Sequence, residues 1–66
     1  MKVEATGMTY WKRVVNDSGE VVAILSQLAS GKWIINDKTD KKLTNNVFKD
    51  IAHAKKWMAE HSELFL

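Results

Sequence analysis

The sequence predicts an α+β fold: a three-stranded antiparallel β-meander with one C-terminal α-helix packed on one face. Two turn signals carrying glycine, "NDSG" at 16–19 and "ASG" at 29–31, separate runs rich in β-branched and aromatic residues. Beyond residue 50 the apolar side chains recur at a helical period instead. No repeat, low-complexity tract or proline-rich linker interrupts the plan, so residues 1–66 are expected to form a single β-β-β-α domain.

Residues 1–7 mix small and charged side chains without a period and read as a loose lead-in. "TYWKRVV" (9–15) is the first predicted strand, and in the turn after it Gly19 can take a positive φ. "EVVAILSQL" (20–28) returns, Gly31 serves the second turn, and "KWIIND" (32–37) is the third strand. "KTDKKLTNN" (38–46) is a polar loop, with room for a short extended piece leading to Val47 and Phe48. Asp50 is placed to cap a helix starting at Ile51, because its carboxylate can accept the free amide hydrogens of the first turn. At about 100° per residue, Ile51, Ala54, Trp57, Met58, His61, Leu64 and Phe65 share one stripe, with Lys56, Glu60 and Glu63 opposite.

Pairing follows from turn type. If both hairpins use a type I turn with glycine in the bulge position, Asn16 faces Glu20 and Leu28 faces Lys32. Trp11 then stands across from Leu25, and Leu25 across from Ile35. By alternation one face carries Trp11, Val15, Val21, Ala23, Leu25, Trp33 and Ile35, with Arg13 and Gln27 among them, and is expected to be the core. The other carries Tyr10, Val14, Val22, Ile24, Leu28 and Ile34, diluted by Lys12, Ser26, Lys32 and Asn36. One helix covers one face, so the second presents apolar area on the order of several hundred Å2, which approaches or exceeds what soluble monomers usually leave exposed. Residues 1–8 and the Leu64–Leu66 tail are the local segments that can cover part of it. The preferred expectation is a contact with another protein chain through these residues, as a homodimer or with an unidentified partner protein.

Composition narrows the function. Hydrophobic residues make up 45% and charged residues 27%, an ordinary globular balance. With no cysteine the chain has neither disulfides nor thiolate metal ligands, which fits a reducing, cytoplasmic setting. Glu4 and Thr6 fall where a secretion signal needs an apolar core, and the longest apolar run is Val21–Leu25, so no membrane segment is expected.

No chemistry-bearing constellation emerges. The two histidines, His53 and His61, lie on the predicted helix either side of Trp57 and read as partly buried packing residues. "NDKTDKK" offers Asp37 and Asp40 but lacks the glycine and closing glutamate of a calcium loop. Ser18, Ser26, Ser30 and Ser62 have no histidine at an informative spacing, and the three glycines are isolated. The expectation is a protein that is not an enzyme and needs no metal or cofactor.

The net charge of +2 supplies the alternative, a weak nucleic-acid-binding domain. Its candidate residues are Lys38, Lys41 and Lys42 in the loop, Lys49 at the helix entrance, Lys55 and Lys56 on the helix, and Arg13 from the sheet. Nine of the ten basic residues are lysines, whereas arginine does most bidentate base reading.

The spaced pattern of Gly19, Val22–Ala23–Ile24, Trp33, Phe48, Ala54 and Trp57 resembles small β-β-β-α domains of the AP2 and integrase N-terminal type. It also resembles small phage and prophage accessory proteins, in which a tryptophan strand is followed by Phe and an alanine-bearing helix. The similarity spans roughly residues 9–60 and rests on core positions. In the AP2-like families the open sheet face reads DNA with arginines and tryptophans. Arg13, Trp11 and Trp33 are the counterparts here, and the expected register turns them inward. The resemblance implies a compact accessory protein that acts by binding.

Overall fold

The computed structural model describes residues 1–65: a four-stranded antiparallel sheet in the order β1-β2-β3-β4, followed by a helix. β1 spans Lys2–Ala5, β2 Trp11–Val15, β3 Val21–Gln27, β4 Trp33–Asn36, and α1 Ile51–Glu60, with a 3-10 turn over Ser62–Phe65. The α+β meander with a C-terminal helix is as expected, but there are four strands and not three. The segment expected to be a loose lead-in supplies β1, which sets Val3 against Val14 and Glu4 against Arg13. Its sequence, KVEA, has little strand propensity of its own. Pairing with β2 supplies the order, and the Thr6 hydroxyl anchors the exit by donating to the Trp11 carbonyl at 2.7 Å.

Both expected turns form. Asn16 N–H donates to the Glu20 carbonyl at 2.9 Å and Leu28 N–H to the Lys32 carbonyl at 2.7 Å, with Gly19 and Gly31 at φ 83° and 91°. The stretch expected to be a polar loop opens with a third turn of the same kind. Asp37 N–H donates to the Lys41 carbonyl at 2.7 Å, and Asp40 takes the glycine's place at φ 69°. Two side chains replace the missing glycine. The Asp37 carboxylate accepts Thr39 N–H, the Thr39 hydroxyl and Lys41 N–H, while Asn36 Nδ2 donates to Asp40 Oδ1 at 2.9 Å. The chain then returns along β4, with Lys42 bridging Asn36 and Phe48 exchanging both backbone bonds with Trp33 at 2.8 Å. This segment covers the outer edge of β4.

A bulge decides the faces. Val15 pairs with Val21 but Val14 pairs with Ala23, so Val22 is an extra residue in β3. That one insertion moves Trp11 opposite Ser26 and Lys12 opposite Leu25, correcting the expected Trp11–Leu25 pair. The β3–β4 register is as expected, with Leu25 opposite Ile35. β2 is therefore inverted relative to expectation. Val14 faces the helix, while Trp11, Arg13 and Val15 face away.

The core lies between the sheet and α1. Val14, Ala23, Leu25, Ile35 and Ala54 are fully buried, joined by Trp33, Phe48, Met58 and Phe65. A buried side chain of this class contributes roughly 1.5–3 kcal/mol. The cluster also holds two small residues, Ala23 on β3 and Ala54 on α1. Asp50 caps α1 as expected, accepting His53 N–H at 2.9 Å. The helix ends at Glu60 and does not continue to Phe65, so Phe65 turns into the core and Leu64 outward. Residue 66, the last of the tail considered as a cover for the second face, lies outside the described residues.

Candidate functional site

The sheet has one face closed by α1 and one turned away from it. Cross-strand pairing writes the composition of the open face in rows. Trp11, Ser26 and Ile34 form one row, and Glu4, Arg13, Ile24 and Asn36 the next. Ser26 is small and stands between two large apolar side chains, both half-buried. Leu28 ends the same face, next to the Lys32 with which it pairs across the second turn. Ile24 and Val15 are buried yet lie outside the cluster that the helix closes.

The residues expected to form a protein contact divide accordingly. Ile24, Ile34 and Leu28 lie on the open face, Leu28 at 39% exposure. Tyr10, 57% exposed, stands opposite Gln27 at the end of the sheet, and Gln27 pairs with Trp33, so the reversal of β2 corrects Tyr10 from the open face to the helix side. Val14 is corrected to the core, because the bulge reverses β2. Val22, the bulge residue, is half-buried against the core cluster. Trp11 is the member that sequence reasoning assigned inward, and Met8, exposed in the turn ahead of it, was not singled out. The hydrophobic pattern holds no signal for the insertion, because Val21 and Val22 are the same residue type.

The basic residues occupy two sides of the molecule. Arg13 is exposed on the open face opposite Glu4, while Lys2, next to Glu4, reaches it at 3.9 Å. Lys55 and Lys56 are exposed on α1, on the far side of the sheet. Lys38, Lys41 and Lys42 are exposed in and after the third turn, and Lys49 precedes the helix cap. The register thus brings Arg13 out beside Trp11, reversing the inward placement expected, and leaves Trp33 in the core.

Both histidines have local partners. His53 is exposed, not packed at the stripe's edge, and its Nδ1 lies 2.7 Å from Asp50 Oδ1. The ring and the backbone N–H of His53 hold the Asp50 carboxyl below its ordinary value of 3.8. His61 is half-buried, stacked on Trp57. Asp37 is likewise held below 3.8, first by the Thr39 hydroxyl and then by Lys41 N–H. Among the described residues no three of His, Cys, Asp and Glu gather into a set that can hold a metal ion, and no helix is long and apolar enough to cross a membrane. A cavity of about 290 Å3 opens between the first and third turns and the 3-10 turn, where Val22 and Phe65 meet Glu20, Asp37 and Lys38. It holds no histidine or serine to pair with its carboxylates.

The chain matches no protein-family model, and no curated protein or solved structure is significantly similar to it.

Proposed function

We propose that this chain is a small binding protein, not an enzyme, and that it acts through protein–protein contact at the open face of its sheet. The observation that carries the reading is the row Trp11–Ser26–Ile34 with Leu28 beside it, large apolar side chains around a small serine on the face that α1 does not cover. A flat face with an aromatic anchor, a small residue next to it and charges at its margin has the make-up of an interface centre and rim. Both histidines being engaged in helix capping and stacking supports binding over catalysis.

The test is affinity capture on the immobilised chain, comparing wild type with Ile34→Lys and with Lys56→Glu on the exposed side of α1. A discrete partner retained by wild type and Lys56→Glu, but lost with Ile34→Lys, is the expected result. A folded wild type that retains nothing and stays monomeric removes the reading.

One observation favours a second reading. The bulge sets Arg13 and Trp11 together on the open face, an arrangement suited to stacking a base beside a phosphate. In this version the chain binds nucleic acid weakly, with Lys2 and Lys32 adding charge and Glu4 opposing it. Affinity falling steeply with salt and lost in Trp11→Ala supports it, and no retention at low salt ends it.

A further inference from the structure

The two edges of the sheet differ. That of β4 is covered by the returning segment from Lys42 to Phe48, whereas among the described residues β1 pairs only with β2. The direction of the free backbone groups follows from the ladder. Gln27 N–H donates to the Tyr10 carbonyl, so along β2 the even-numbered residues direct their backbone groups to β3 and the odd-numbered ones to β1. Arg13 and Val15 therefore use the backbone groups of Glu4 and Lys2, their register partners. Val3 and Ala5 are left with N–H and C=O facing away from the sheet.

We propose that a second copy of this chain adds antiparallel to β1 about a two-fold axis at Val3, joining the two sheets edge to edge. The proposal rests on the reading of the chain as protein-binding and names a partner at the free edge of β1, where Lys2 and Glu4 border the open face. In this register each Val3 exchanges both backbone bonds with its counterpart, and each Lys2 stands opposite Glu4 of the second copy. Lys2 and Glu4 then form non-hydrogen-bonded pairs, the class in which opposing side chains come closest. The charges select this register over its neighbours. A slip by two residues sets Lys2 against Lys2 or Glu4 against Glu4, and a slip by one turns the second helix to the opposite side of the sheet. Lysine alone would blunt the edge, whereas lysine and glutamate flanking a valine make it self-complementary. Beside the same edge, on the helix side, lies a cavity of about 180 Å3 lined by Met1, Val3, Val14, Lys55, Met58 and Ala59, into which the second copy continues the apolar layer.

The test is sedimentation equilibrium at low ionic strength on wild type, Lys2→Glu, Glu4→Lys and an equimolar mixture of the two variants, with circular dichroism as the check of folding. Each variant alone places like charges in both cross-strand pairs, and its dimer is expected to dissociate about tenfold more readily. The mixture restores two attractive pairs, so association returns to within a factor of about three of wild type. Ile34→Lys, on the open face, leaves the dimer unchanged. A wild type that stays monomeric at about 1 mM, or a mixture no tighter than its components, overturns the proposal. If Ile34→Lys abolishes the dimer while the edge variants do not, the second copy sits on the open face: the edge proposal fails and the protein-contact reading survives.

Discussion

His61 lies flat on Trp57, ring centroids 4.1 Å apart with 19° between the planes, and its Nδ1 is 2.8 Å from the Trp57 carbonyl oxygen. A carbonyl only accepts, so in this geometry Nδ1 carries the hydrogen. The imidazole thereby satisfies one of the carbonyls that the end of a helix leaves without a partner. Trp57 in turn meets Phe48 edge-on at 6.0 Å, and Phe48 is fastened by backbone bonds to Trp33 on β4. The end of the helix is thus tied to the edge of the sheet through three rings. His61→Ala removes both the stack and the bond and is expected to cost about 1–2 kcal/mol in urea unfolding. His61→Phe keeps the stack alone and falls between that variant and wild type. Equal loss in the two would show that the stack contributes nothing.

Trp33 and Trp11 separate in the same measurement. Trp33 is buried in the cluster under α1, and Trp33→Ala should cost about 3–5 kcal/mol, much of the stability a domain of this size has. Trp11 is half-buried on the open face, and Trp11→Ala should cost roughly 1–2 kcal/mol. Comparable losses in both would place Trp11 in the core and contradict the bulge.

These two tryptophans also mark how far the sequence could be read. Glycines at 19 and 31 named their turns, and with them the Asn16–Glu20 and Leu28–Lys32 pairs, because left-handed backbone is chemically specific. Asp50 named its helix for a similar reason: a capping carboxylate acts on its own neighbours. Trp33 and Leu25 were placed in the core because the β3–β4 register follows directly from its turn. Trp11 was misplaced because a bulge at Val22 depends on how β3 twists against β2, a tertiary property, and one extra residue reverses every side chain beyond it. β1 was missed because KVEA gains its order from partners seven to thirteen residues away in the sequence and not from propensity. The third turn was missed because Asp40 holds a glycine's conformation, supported by side-chain bonds from residues whose roles only the fold reveals.

Acid should weaken the fold through two surface carboxylates. Asp37 and Asp50 both have pKa values lowered from 3.8, the first chiefly by the Thr39 hydroxyl and the second by the His53 ring. A carboxyl whose folded value is depressed stabilises the fold fully above its unfolded value, and that stabilisation disappears as pH falls through the folded value. Thermal midpoints should therefore be insensitive to these two groups above about pH 5 and decline below about pH 4. Asp37→Asn and Asp50→Asn remove the ionised form while keeping an oxygen acceptor, so each should flatten the decline. Both groups lie partly exposed at the surface, so added salt should also shrink their share of it. An undiminished acid transition in the double variant would assign it to other carboxylates.

The division of the basic residues between two sides of the molecule limits any binding of nucleic acid. On the open face Arg13, Lys2 and Lys32 stand with Glu4 among them, while Lys55 and Lys56 lie beyond the sheet on α1. A strand or duplex lying on the open face reaches at most about three of these cations, which sets the slope of log affinity against log salt at no more than about −2 to −3. Arg13→Gln should lower that slope by about one, and Lys55→Gln with Lys56→Gln should leave it unchanged. The same Arg13→Gln variant should leave a protein contact centred on Trp11 and Ile34 nearly intact, since a charge at the margin of an interface governs approach more than residence. A steeper slope, or one that responds to the helix lysines instead, would move the contact off the sheet altogether and onto α1.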